Sequence, residues 1–130
     1  MEREHAAHNL RGVYILLVDD DPRHSELIRE ILRYCGAWVR EVASADEALA
    51  VLREATPTAL VVYVRSPGAE AWRLLRGVRA MRPEHGGKIP AVAVGPEALA
   101  APALAEGFEA YLSEPVEAWR LCRTMAELTE

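Results

Sequence analysis

Lysine is almost missing from this 130-residue chain: of fifteen basic residues only Lys88 is a lysine, the rest being arginine. Twenty acidic residues outweigh them, for a formal net charge of −5. That balance excludes broad electrostatic capture of nucleic acid or of an anionic membrane as the main activity. Long hydrophobic runs are absent too, none approaching the roughly 18 apolar residues that span a bilayer. Residues 1–10 mix Glu, Arg and His where a secretory leader would be apolar. The expectation is a soluble, cytoplasmic protein with no nucleic-acid or membrane partner. Cysteine is scarce: Cys35 and Cys122 make no framework, and each falls in an apolar helical stripe, so both are expected as reduced packing thiols, with a disulfide or redox role as the minor alternative. Histidine offers no zinc site, because His5 and His8 stand in a polar segment and neither His24 nor His85 has a partner at ligand spacing. Repeats and low-complexity segments are also lacking.

What is present is one domain's length of alternating strand and helix signals. Chains of this size bury roughly two-thirds of their unfolded surface, enough for one core. Residues 1–12 read as a tail and 13–130 as the domain. Residues 13–18 are a continuous apolar run, as expected of a strand covered on both faces. Asp19, Asp20 and Asp21 end it, and Pro22 starts a helix whose inner stripe includes Leu27, Ile28, Ile31, Leu32 and Cys35. A second strand is expected over residues 38–42, followed by a capping box in which Ser44 faces Glu47. The third strand, 59–64, breaks at Ser66, Pro67 and Gly68. The next helix has an apolar side and an opposite row of Arg73, Arg76, Arg79 and Arg82, expected as a solvated face rather than an anion-binding one. A fourth strand over 91–94 closes at Gly95 and Pro96. A short helical stretch interrupted by Pro102 follows, then a fifth strand over about 108–112 and a last helix burying Trp119, Cys122 and Met125.

Five strands and five helices in strict alternation imply a parallel sheet with helices on both faces. In such sheets chemistry gathers at the carboxyl ends of the strands. Those ends carry Asp19 to Asp21, Tyr63 to Pro67, Gly95 and Pro96, and Ser113, Glu114 and Pro115. No glycine-rich phosphate loop, Cys/His pair or Ser/His/Asp set is among them.

The run Ile15, Leu16, Leu17, Val18, Asp19, Asp20, Asp21, Pro22 resembles the opening of a response-regulator receiver domain. Residues 107–115, reading Gly-Phe-Glu-Ala-Tyr-Leu-Ser-Glu-Pro, resemble that family's fifth strand. The resemblance covers about 13–128. It implies an α/β, flavodoxin-like fold: a doubly wound five-stranded parallel sheet in strand order 2-1-3-4-5. It also implies a place in two-component phosphorelay signalling, in which a histidine kinase supplies a phosphoryl group to an aspartate at the end of strand three. By resemblance Asp19 and Asp20 match the acidic pair that holds magnesium, and Tyr111 matches the aromatic residue that switches rotamer on phosphorylation.

The residues that would carry the chemistry depart from that pattern. Counting back from Pro67, the phosphoacceptor position falls on Tyr63, and no carboxylate occurs between Glu54 and Glu70 to serve instead. A phenol, with an ordinary pKa of about 10, is a poor nucleophile toward phosphorus at neutral pH. The family's hydroxyl residue after strand four is Gly95, and its lysine before the last proline is Glu114. Lys88 precedes strand four and so lies at the wrong end of the sheet. Phosphoryl transfer needs a nucleophile, a metal and positive charge on the equatorial oxygens. With Asp19, Asp20 and Glu114 converging on one pocket, the local field is expected to repel phosphate.

The expectation is therefore a degenerate receiver, a pseudo-receiver that is not an enzyme and signals by phosphorylation-independent protein–protein interaction, without a cofactor. Alternatives are a receiver phosphorylated at Asp19 or Asp20, and a flavodoxin-like domain binding a small molecule or a metal. The three carboxylates, with Tyr63 alongside, could hold magnesium or another divalent cation. Against that stands an internal network in which Arg65 or Tyr63 satisfies the carboxylates. Residues 95–107, shorter than the family's segment by nearly one helical turn, and the last helix are the expected contact surface for a protein partner or a second copy of the chain.

Overall fold

The structure is a computed structural model and describes residues 9–130; His5 and His8 lie outside the described residues. Five strands form one parallel sheet in the order β2-β1-β3-β4-β5: β1 (Tyr14–Val18), β2 (Trp38–Val42), β3 (Ala59–Tyr63), β4 (Ala91–Gly95) and β5 (Ala110–Ser113). This is the flavodoxin-like receiver architecture. The helices between them are α1 (Pro22–Tyr34), α2 (Ala45–Glu54), α3 (Ala69–Arg79), α4 (Ala100–Glu106) and α5 (Ala118–Thr129). Short 3-10 turns, Pro83–His85 and Glu97–Leu99, precede β4 and α4.

The continuous apolar runs bury both faces of the central strands. Leu16, Val18, Leu60 and Val62 point into a core closed by α2, α3 and α4. Ile15, Leu17, Val61 and Val94 point into a second core closed by α1 and α5. Because side chains alternate along a strand, this two-sided burial fixes register; Ile15 pairs with Ala59, Leu60 with Ala91 and Val92 with Ala110. Pairing continues past the strand ends. Asp19 N donates to Val42 O at 3.1 Å, Val64 N to Val94 O at 2.7 Å and Glu114 N to Gly95 O at 2.9 Å. These bonds align the residues at the carboxyl edge of the sheet.

Helix starts follow local chemistry. Asp21 caps α1 by accepting from Arg23 N at 3.0 Å, with Pro22 in the first turn. Ser44 accepts from Glu47 N at 3.1 Å, and Glu47 Oε1 accepts in return from Ala43 N at 2.9 Å, a capping box shifted by one residue. Gly68 opens α3 in the left-handed region at φ 92°, and a Cβ there would lie 2.4 Å from the Trp72 ring.

Several expectations change. Cys35 and Cys122 are not reduced thiols but a disulfide joining the end of α1 to α5, their Cα atoms 6.4 Å apart across 87 residues of sequence. The two stripes that suggested buried thiols face each other, which a stripe alone does not reveal. Closing so long a loop constrains the unfolded chain by about 4.6 kcal/mol on the chain-entropy view. Trp119 is half-buried rather than core, with the Arg120 guanidinium 5.5 Å from its ring centre. Pro102 does not interrupt α4: it occupies the first turn, where a backbone N–H has no intrahelical partner to lose. Leu10, assigned to the tail, is fully buried, and its N–H donates to Cys35 O at 2.7 Å. The arginine row beginning on α3 is a largely solvated face, as expected, and its members pair within the chain. Arg73 pairs with Asp46 and Glu70, Arg76 with Glu106, and Arg79 with Glu109 and with the carbonyls of Gly87 and Ile89.

Candidate functional site

The edge built by these extended pairings brings Asp19, Asp20, Tyr63, Arg65, Gly95, Tyr111 and Glu114 to one end of the sheet. Asp19 ends β1 with its side chain only 1% exposed. Its Oδ1 accepts from Asp21 N at 2.9 Å, whereas Oδ2 is buried without a hydrogen-bond partner. Burial raises the Asp19 pKa, opposed by the bond from Asp21 N and by the nearby His24 and Arg65. Asp21 behaves in the opposite way: the Arg23 side chain and backbone N–H hold it down at about 2. Asp20 points outward and accepts from Arg65 Nε at 2.7 Å.

Tyr63 is the last residue of β3, and its alternation sends the ring toward the α1 and α5 side. There the hydroxyl donates to Glu114 Oε1 at 2.7 Å. His24, in the first turn of α1, stacks on the phenol ring with centroids 4.4 Å apart and planes inclined by 8°. Arg65 lies 5.4 Å from the ring centre. Burial, then the bond to Glu114 and that carboxylate's charge, push the phenol pKa well above its ordinary value. The phenol is neutral, its proton already committed.

The expected convergence of three carboxylates does not occur. Asp19 and Asp20 line one cleft and Glu114 another, and Tyr63 is the wall between them. The pocket also holds positive charge, in the internal network that the sequence offered as the alternative to a metal site. Arg65 Nη2 is 3.9 Å from Asp19 Oδ1 and 3.5 Å from Asp21 Oδ2, besides the Nε bond to Asp20. Among the described residues no group of three or more His, Cys, Asp or Glu could hold a metal ion. Magnesium asks for near-octahedral oxygen coordination. Two carboxylates, one of them bonded to a guanidinium, with a phenol donating elsewhere, do not fit that demand.

At Gly95 the missing side chain is occupied. A Cβ there would sit 2.6 Å from Val64 O and 2.7 Å from the Tyr111 hydroxyl. Tyr111 uses the space to donate to Pro96 O at 2.5 Å. Burial, with the charges of Glu114 and Glu97, pushes its pKa up to about 12. Ser113 donates to Glu97. His24 is the site residue that sequence reasoning missed; a lone histidine one turn into α1 carries no signal until β3 places a ring beneath it.

The fold and the acidic edge now stand beside known proteins. No family model matches the sequence. The chain is 35% identical over 116 residues to an uncharacterized 14.6 kDa protein from the sodA1 3' region of Leptolyngbya boryana, covering 87% of each. A crystal structure of a Chloroflexus aurantiacus protein assigned as a response regulator superposes with a TM-score of 0.82 at 27% identity, over 90% of this chain and 97% of that one. The receiver domain of sensor histidine kinase PA1611 from Pseudomonas aeruginosa, solved with magnesium in its active-site cleft, gives 0.79 at 28% identity over 91% and 98%. This chain belongs to the response-regulator receiver family. Its place is in two-component signalling. The receiver match extends to the sensory/regulatory protein RpfC of Xanthomonas campestris, 29% identical over 123 residues, although this receiver spans only 17% of that longer protein.

Two outcomes follow for the receiver's site. Replacing Gly95 by Thr forces the new side chain onto the Val64 carbonyl and displaces Tyr111, at a cost of about 1–3 kcal/mol of stability in chemical denaturation. Adding Tyr111→Ala to Gly95→Thr recovers only part of that loss, because the backbone contact persists. Asp19→Asn acts in the other direction. An acid whose folded pKa is raised favours the fold below its unfolded pKa and loses that contribution as pH rises through the folded value. Asn keeps the acceptor for Asp21 N without the desolvated charge, so D19N melts at a higher temperature than the parent at pH 7, and the gap closes at pH 3.

Proposed function

We propose that this receiver works without accepting a phosphoryl group, as a pseudo-receiver held in one conformation that binds a protein partner. The observation that carries the reading is Tyr63 at the end of β3, its hydroxyl bonded to Glu114 and its ring stacked on His24. A phosphoacceptor must be ionised and open to in-line attack; this phenol is neither. The charge pattern supports the same reading, since Glu114 stands where positive charge would be needed and Arg65 is committed to the acidic pair. The domain is thus read as a non-enzymatic module without a bound cofactor.

The partner face in this reading comprises α4, β5 and α5. Leu104 on α4 is half exposed, Tyr111 on β5 is held over Gly95, and Trp119 on α5 is partly accessible. Aromatic and aliphatic anchors of this kind are the residues that dominate binding energy in protein interfaces. The receiver of Saccharomyces cerevisiae Ssk1, which shares this fold, has been co-crystallised with the phosphotransfer protein Ypd1. A signalling protein or a second copy of the chain is the partner proposed here.

Incubating the protein with acetyl phosphate and magnesium, then measuring intact mass, decides between this reading and phosphotransfer to an unusual acceptor. The expected spectrum is unchanged. A stable phosphoryl adduct that disappears in Asp19→Asn or Asp20→Asn would establish the alternative.

A further inference from the structure

We propose that Arg65 is the resident cation of the acidic pair and keeps divalent metal out of it. The inference rests on the reading of Tyr63 only in that the phenol leaves the site without a third carboxylate. Asp19 and Asp20 are the residues that would compete for a metal, and both are already turned toward the guanidinium. Arg65 Nε bonds Asp20 Oδ1 at 2.7 Å, and Nη2 reaches Asp19 Oδ1 at 3.9 Å and Asp21 Oδ2 at 3.5 Å. An arginine stays protonated at any physiological pH, and its planar fork engages several carboxylates at once.

The guanidinium compensates the pair incompletely. Asp19 Oδ2 is buried and has no hydrogen-bond partner, an acceptor that the guanidinium leaves vacant. The pair therefore retains an intrinsic affinity for a small cation, and Arg65 opposes it twice. Its charge repels an incoming dication, and its Nε occupies the Asp20 oxygen that would ligate. Since the Arg65 side chain is 45% exposed, its removal opens no core cavity. Taking Arg65 away should convert a closed, self-neutralised pocket into a cation site.

Titration with Mn2+, followed by the electron paramagnetic resonance signal of the unbound ion, tests this without any phosphodonor. Wild type should bind only weakly, whereas Arg65→Gln should bind at least about tenfold more tightly. Arg65→Lys, which keeps the charge, should stay close to wild type, and adding Asp20→Asn to Arg65→Gln should abolish the gain. Wild-type binding as tight as that of R65Q, or a gain that survives D20N, overturns the proposal. Should R65Q lose its cooperative melting transition, comparison of wild type with Asp19→Asn decides: equal weak binding supports the proposal, and weaker binding by D19N overturns it. Phosphoryl uptake by the wild type in a separate reaction would overturn the function proposed above and leave this result standing on its own.

Discussion

One hydrogen bond, from the Tyr63 hydroxyl to Glu114 Oε1, organises the carboxyl edge of this receiver. It exists because the two strand ends are in register: β4 lies between β3 and β5, and Glu114 N is held on Gly95 O. A phenol beside a carboxylate is a stable arrangement only while the phenol is protonated, and burial with the neighbouring negative charge keeps it so. The same bond places the ring under His24 and makes it the partition between two clefts. Carboxylates that share a pocket would repel one another; with a neutral ring between them, Glu114 takes the Tyr63 hydroxyl while Asp19 and Asp20 share Arg65.

The residues of this edge compensate one another. Glu114 supplies the acceptor for Tyr63. Gly95 leaves free the volume that the Tyr111 hydroxyl fills on its way to Pro96 O. Tyr63 at the end of β3 leaves Asp19 and Asp20 without a third carboxylate beside them, and Arg65 meets them instead. In each pair the second residue satisfies a polar group or fills a gap that the first would have left, and buried polar groups without partners are costly. Asp19 Oδ2 is the exception, and it marks the place where the compensation is incomplete.

Much of this was legible in the residues. Continuous apolar runs at 13–18 and 59–64 announced strands covered on both faces, and the triple aspartate and the Ser66-Pro67-Gly68 break announced where they end. That Tyr63, Gly95 and Glu114 stand together at the carboxyl ends of the strands could be read from the alternation of strand and helix signals. The remainder depends on which side of the sheet each residue faces at its very end. Glu114 and the Asp19–Asp20 pair come to line different clefts with the Tyr63 ring between them, so a pocket of three carboxylates inferred from adjacency alone became two clefts. The disulfide escaped for a related reason: Cys35 and Cys122 each read as one position in an apolar stripe, and only the packing of α1 against α5 makes those stripes neighbours. His24 was invisible because its role is to lie on another residue's ring.

In the function proposed above, an interaction surface held by such compensations needs no chemical trigger. Tyr111 is fixed over Gly95, with Leu104 exposed on α4 and Trp119 half-buried on α5. The central claim, that this edge does not respond to a phosphoryl group, is tested most directly by backbone amide spectra recorded before and after addition of beryllofluoride and magnesium, a mimic of the phosphorylated state. The expected result is unmoved resonances for Tyr63, Gly95, Tyr111 and Glu114. Shifts at Tyr63 that spread through Gly95 to Tyr111 and α4 would contradict it.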